Sequence, residues 1–256
     1  ITELTLKLQG QPEAINAATC RFETVEDAVN CVILTIQSGL PMARIELLDH
    51  MMVRGFNAYA KAGLPEKPHL FLEFTGSPGS VAEQVEAFES IAEEFGATGW
   101  QTATTTEDRN ALWKMRHSAH YASAALGKGG HIWPTDVCVP ISKLAEAVTQ
   151  SQRDAERLGL TATIVGHVGD GNFHAGLSVN PNDPDEMARA HEFTHALGET
   201  ALRLGGTVSG EHGIGIGKQS FMHTEHGPAV AYMRAIKQAL DPQGILNPGK
   251  MLPPAN

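Results

Sequence analysis

The stretch TIVGHVGDGNFHAGLSVN carries two histidines, His167 and His174, on either side of a glycine-rich turn within an apolar, β-branched run. Imidazole ligates first-row metals and exchanges its proton near neutral pH, so a pair held together points to metal or proton-transfer chemistry. Asp170-Gly171 is a two-residue hairpin signal. With those residues at the turn centre, Gly169 is expected opposite Asn172, Val168 opposite Phe173 and His167 opposite His174. Directly opposed strand residues share a face with Cβ atoms roughly 5 Å apart. Two rings so placed could grip one cation at Zn–N distances of about 2.0–2.1 Å. Two unrelated strand histidines, one satisfied in a core, would give the same composition; the symmetry about the turn favours the chelate. A metal site needs a third protein donor. The segment GGTVSGEHGIGIGK offers Glu211 and His212 among six glycines between Gly205 and Gly217. Glycine there permits positive φ and close backbone approach to a ligand, and Val208, Ile214 and Ile216 are expected to anchor the loop. The loop does not qualify as a phosphate-binding loop: His212 stands where its first glycine belongs, and Gln219 follows Lys218 where Ser or Thr is required.

A second metal motif competes with the first. HEFTHALGETA contains His191, Glu192 and His195 in the H-E-x-x-H arrangement of zinc peptidases. Ala201 occupies the position of the third histidine of the longer form of that motif. The apolar stripe of this helix is expected along Met187, Ala190, Thr194, Leu197, Ala201 and Leu204, with the two histidines on its solvated shoulder. Chance occurrence outweighs a peptidase, which stays the alternative reading.

The elements that must position these residues alternate irregularly between strand and helix. ITELTLKLQG alternates Ile1, Leu4, Leu6 and Leu8 as a strand would. A helix is predicted from Val25 to Ser38, stopped by Gly39 and Pro41. ARIELL and HLFLEFTG follow as strands, SVAEQVEAFESIAEEFGA as an amphipathic helix, and TEDRNALWKMRHSAHYASAAL as a helix capped by Thr106. TDVCVP reads as a short strand, and PISKLAEAVTQSQRDAERLGL as a helix between Pro140 and Gly159. After the histidine hairpin come helices from about 184 to 204 and up to about Leu240, and then DPQGILNPGKMLPPAN, a pinned, extended tail. Strands with one apolar face imply an α+β fold with a mainly antiparallel sheet covered by helices. No internal repeat is visible in the sequence.

The 256 residues suffice for one large or two small domains. The net charge of −10 speaks against wrapping nucleic acid or anionic lipid, and no apolar run approaches a membrane span. Three scattered cysteines, Cys20, Cys31 and Cys138, argue against a disulfide framework and for a reducing, intracellular setting.

GHVGDGNFHAGLSVNP, GGTVSGEHGIGIGK and LDPQGILNPGKML, in this order and spacing, resemble the C-terminal half of the FAD-linked 2-hydroxy-acid dehydrogenases, as do LWKMRHSAHYA and TDVCVPISKL. That group includes cytochrome-type D-lactate dehydrogenases, the glycolate oxidase flavin subunit and D-2-hydroxyglutarate dehydrogenase. The resemblance implies a ferredoxin-like cap domain over residues 19–240. Residues 1–18 would hold the last strand region of an FAD-binding domain, and residues 241–256 a tail returning to that domain. It implies FAD and a divalent metal, Zn or Mn, with His167, His174 and Glu211 as metal ligands. His212 is the implied catalytic base and Arg116 the implied partner of a substrate carboxylate, a task suited to its planar fork. Asn247 and Lys250 are implied to approach the flavin. The implied partners are a small 2-hydroxy acid and an electron acceptor, whether carrier protein, quinone or cytochrome; a homodimer, a cytoplasmic or mitochondrial location and peripheral membrane association are compatible with it. The dicarboxylate-specific members carry a lysine shortly before the TD aspartate. Trp133-Pro134 precede Thr135-Asp136 here, which favours a lactate-like substrate.

Overall fold

The computed structural model describes residues 2–8, 10–127 and 131–254. Eight strands form one sheet: β1 (Ala14–Arg21), β2 (Arg44–Leu48), β3 (His69–Gly76), β4 (Thr98–Ala103), β5 (His131–Pro134), β6 (Val137–Cys138), β7 (Thr161–Gly166) and β8 (Asn172–Val179). The order is β4-β1-β3-β2-β7-β8-β5, with β6 also on β8, and every pairing is antiparallel. The α+β expectation holds.

Four helices cover one face. Helix α1 (Val25–Gln37) is capped by the Thr24 side chain, and α3 (Pro78–Glu94) by Ser77. With α6 (Leu144–Arg157) and α7 (Pro184–Arg203) they press Val29, Phe88, Leu144 and Phe193 onto inward sheet residues such as Leu47, Leu72, Ile164 and Leu177 in one continuous apolar core. The opposite face is only partly covered, by α2 (His50–Ala60), α4 (Thr106–His117) and α5 (Ala119–Ala124), around Leu48, Phe56, Phe71 and Trp113. On this face the strands also present Glu46 and His174.

The first four strands, with α1 after β1 and α3 after β3, lie in the order β4-β1-β3-β2, the ferredoxin-like split βαβ arrangement. The second half repeats this path. Helix α6 connects β6 to β7, β8 follows, and α7 leads back to Thr207, which bridges Cys138 of β6. The halves meet edge to edge where Leu47 and Leu48 of β2 pair with Gly166 and Val165 of β7. A repeat absent from the sequence pattern is therefore present in the topology.

Several expectations are corrected. Residues 2–8 form no strand, and Leu4, Leu6 and Leu8 are exposed, because no neighbouring strand among the described residues offers them an edge. Strand β1 begins only at Ala14 and runs through residue 18, where a domain boundary was expected. The helix predicted over 106–126 breaks at Ser118 into α4 and α5, and its cap is Thr105, whose hydroxyl accepts from Asp108 N. On α7 the buried stripe includes Phe193 and Gly198 in place of Met187 and Thr194. Strands β1, β4 and β5 and helix α2, capped by Asp49, had no sequence prediction.

Candidate active site

The hairpin around the two histidines differs from its prediction. Residues Val168–Asp170 form a 3₁₀ turn, and Gly171 (φ 78°) closes it in the left-handed region. A Cβ at Gly171 would stand 2.1 Å from the Val139 carbonyl oxygen, so the turn tolerates only glycine. The longer turn moves the register: His174 lies opposite Val165, and His167 has already left the ladder. The two rings nonetheless converge, with centroids 6.0 Å apart and planes at 88°.

Each imidazole is oriented through its Nδ1. His174 Nδ1 donates to the Thr135 carbonyl oxygen at 3.1 Å, and His167 Nδ1 lies 2.6 Å from Glu46 Oε1. With Nδ1 so engaged, the Nδ1–H tautomer would leave each Nε2 lone pair for a metal. Glu211 completes the set: its Oε1 is 3.1 Å from His174 Nε2. Donor atoms of His167, His174 and Glu211 lie within 4.8 Å of one another, and they are the only such group of three found among the described residues. Two imidazoles and one carboxylate fit Zn²⁺ or Mn²⁺ and leave a position open. Burial holds the His174 pKa below its ordinary value, which keeps the ring neutral. The hydrogen bond it donates to Glu46 raises that of His167.

Asp136 builds the glycine-rich loop onto this hairpin. It falls in the break between β5 and β6, which lie along the same edge of β8. Its side chain is 1% exposed. The carboxylate accepts from the backbone N–H of Glu211 (3.0 Å) and of His212 (2.8 Å), and from the Asn172 carboxamide (2.8 Å). Lys218 Nζ donates to the Asp136 carbonyl at 2.8 Å and lies 3.5 Å from its Oδ2. Burial pushes the Asp136 carboxyl up, but these amides and the ammonium outweigh it and bring it down to about 2. Asp136 thus stays ionised and pins two successive loop residues. Gly210 is required beside it, since a Cβ there would stand 2.0 Å from Asn172 Nδ2. Of the expected loop anchors, Val208 is buried, whereas Ile216 is 71% exposed: hydrogen bonds to Asp136 do the anchoring that apolar packing was expected to do.

His212 stacks on His174 with centroids 4.9 Å apart and planes at 11°, beside the cluster and half exposed. Arg116, on α4, has Nε and Nη2 at 3.1 and 2.9 Å from Glu46 Oε2, so three of its five N–H groups are not engaged by Glu46. A cavity of about 500 Å³ opens beside it, lined by Arg44, Glu46, Trp113, Arg116 and His167 among others. Asn247 (φ 46°) and Lys250 lie exposed in the tail, which is pinned as expected. Asp241 accepts from the N–H groups of Ile245 and Leu246, and Gln219 donates to the Gly249 carbonyl. These two tail groups could flank a flavin but not enclose one.

The HEFTH residues are directed elsewhere. His191 packs edge-on against Trp133 at 4.7 Å, His195 lies tilted against Phe221 at 5.1 Å, and Glu192 pairs with Arg157 at 2.9 Å. They gain no third donor among the described residues. Two residues central to the site, Glu46 and Asp136, carried no predicted role. The signal available for each was an acidic residue inside an apolar strand segment, RIELL and TDVCVP.

The antiparallel α+β fold defines a domain class, and comparison with known proteins agrees. Residues 11–251 match the family model of the FAD linked oxidases, C-terminal domain. The chain belongs to that family. It is 44% identical over 98% of its length to 51% of a probable mitochondrial D-lactate dehydrogenase of Danio rerio. It is 38% identical over 99% of its length to 45% of a mitochondrial cytochrome D-lactate dehydrogenase of Arabidopsis thaliana, and 34% identical over 98% to 54% of the glycolate oxidase subunit GlcD of Bacillus subtilis. The chain therefore spans about half the length of these curated relatives. Among solved structures, p-cresol methylhydroxylase with substrate bound superposes with a TM-score of 0.70 at 16% identity, over 93% of this chain and 53% of that one, a likeness of fold.

Proposed function

We propose that this chain is the substrate- and metal-binding part of an FAD-dependent D-2-hydroxy-acid dehydrogenase acting on a lactate-like acid. The observation that carries the proposal is the convergence of donor atoms of His167, His174 and Glu211, with the ring of His212 stacked on His174. The names of its relatives, D-lactate dehydrogenases and glycolate oxidase subunits, agree with that substrate class.

A divalent cation on His167, His174 and Glu211 would supply Lewis-acid polarisation of the substrate hydroxyl, and FAD, when bound, the hydride acceptor. The chain's own residues do the rest. Arg116 has N–H groups left to orient the substrate carboxylate and hold C2 in one pose. His212 receives the hydroxyl proton at its ring nitrogen. Asp136 fixes the backbone of Glu211 and His212, so that ligand and base move as one unit. Trp133 and Pro134, just before Thr135-Asp136, offer no cation for a second carboxylate. In the whole protein Asn247 and Lys250 flank the flavin, the residues ahead of β1 belong with its binding domain, and residues 241–256 return to it. The exposed apolar side chains of Ile245 and Leu246 suit that contact. An acceptor of the cytochrome or quinone kind takes the electrons away.

Metal analysis tests the site. After equilibration with Zn²⁺ or Mn²⁺ and dialysis, His167→Ala is expected to lose the metal and His191→Ala to retain it. Retention by His167→Ala with loss by His191→Ala refutes the assignment. In the whole protein with FAD, D-lactate should bleach the flavin; failure of every D-2-hydroxy acid to do so refutes the reaction.

A further inference from the structure

The site has a second carboxylate, on β2, that belongs to neither the ligand set nor the loop. Glu46 is one of few buried acids in the protein, with a side chain 9% exposed. Its Oε1 takes the His167 Nδ1 hydrogen at 2.6 Å, and its Oε2 takes two Arg116 N–H groups at 3.1 and 2.9 Å. The three residues come from β2, α4 and the turn after β7, separated by 70 and 121 positions in the chain. Strand alternation explains the placement: Ile45 and Leu47 point into the main core, so Glu46 points to the opposite face. That face is where α4 crosses and where His174 lies.

Taking this acid out of water is unfavourable unless its lone pairs are used, and both oxygens are used. The two partners are also the two groups to which the proposed reaction gives separate tasks. We infer that Glu46 is a positioning residue that couples the two tasks, one oxygen setting the His167 tautomer for metal binding while the other sets the guanidinium plane of Arg116 for a substrate carboxylate. The inference rests on the proposed function for the roles of His167 and Arg116, but the coupling itself is a statement about three side chains of this chain. A carboxylate on the far nitrogen of a metal-binding histidine fixes the ring and raises its basicity. Here the same carboxylate also ties that ring to the arginine, so disturbing either one moves the other. Glu73 shows the contrast: it accepts from Trp113 Nε1 at 2.7 Å and pairs with Arg44 at 3.5 Å, holding the same α4 down without touching a metal-binding group.

The experiment uses Glu46→Gln, with Glu73→Gln as its neighbour on the same face. Two readouts are taken: Zn²⁺ affinity by calorimetric titration, and the His167 imidazole tautomer by long-range ¹H–¹⁵N spectra of the metal-free chain at alkaline pH. Glu46→Gln should weaken Zn²⁺ binding about 10–100-fold and turn a predominantly Nδ1–H ring into a mixture, while Glu73→Gln changes neither. Zn²⁺ affinity within twofold of the parent together with an unchanged tautomer overturns the inference. If Glu46→Gln does not fold because Arg116 is left as an unpaired buried charge, Glu46→Gln/Arg116→Gln removes both charges and is read in the same way. If the parent itself binds no Zn²⁺, the metal reading fails, and the tautomer alone decides: an Nδ1–H ring that depends on Glu46 supports the coupling, and one that does not overturns it.

Discussion

Asp49 and Asp136 show how differently two buried aspartates can behave at the scale of single residues. Asp136 has an excess of donors and is held at about 2. Asp49, 1% exposed, caps α2 by accepting from Met52 N at 2.8 Å, but burial dominates and pushes its carboxyl up to about 6 despite that bond and the nearby His50. A folded value above the ordinary 3.8 means that the fold favours the protonated form. Stability contributed by that proton is present at low pH and is lost as pH rises from about 4 through about 6. Asn caps a helix as well as Asp does and carries no charge to bury. Asp49→Asn is therefore expected to match the parent near pH 4 and to gain several degrees in Tm near pH 8, at roughly 2–4 °C per kcal/mol in a chain of this size. Thermal melts across that range check it; a variant that loses ground as pH rises contradicts the assignment. Glu46 and Asp136 matter to the site for the same reason that they escape sequence reading: each acts on groups far away in the chain, and no local period encodes that.

The hairpin and the glycine-rich loop act as elements. Both histidines were legible as a pair because Asp170-Gly171 marks a reversal. Their direct opposition was not legible, because whether the reversal is a two-residue turn or a 3₁₀ turn depends on β2 and Val139 packing against it. The loop tip is set by hydrogen bonds from successive N–H groups to Asp136, and its close approach needs Gly210. Gly210→Ala is expected to push the loop off Asp136 and Asn172. Zn²⁺ affinity should fall at least about tenfold, while Tm changes little, since the loop lies outside the apolar core. Calorimetric titration beside a thermal melt separates the two effects; a large Tm loss with unchanged affinity would show that the loop serves the core and not the site. Secondary structure was easiest to read where an amphipathic period and a cap coincide, as in α1, α3 and α7. It was missed in α2, whose HMMVRGFNAYA mixes apolar and polar residues because it is buried along only one edge.

At the scale of the whole molecule, two ferredoxin-like halves share one core. Apolar residues of both halves belong to a single cluster, and Leu47, fully buried, lies at the seam opposite Gly166. The halves should therefore not unfold separately. Leu47→Ala is expected to cost about 2–5 kcal/mol while leaving one transition. Fluorescence of single-tryptophan variants keeping Trp100 of the first half or Trp133 of the second should report the same midpoint; two midpoints would mean that the halves are independent units. The seam also places the site, because Glu46 comes from one half and His167, His174 and Glu211 from the other. No helix of the described residues is long and apolar enough to cross a membrane.

From the sequence alone followed the side-chain chemistry, the antiparallel α+β class, most helix limits and the family. Composition, period and turn residues are local properties, and they survive in the linear order. Only the tertiary structure decided the hairpin register, the topological repeat, and the use of Glu46 and Asp136 as the supports of the site. Those depend on which strand edge meets which and on what lies above a bare stretch of sheet, and such contacts are made by residues that the linear order keeps apart.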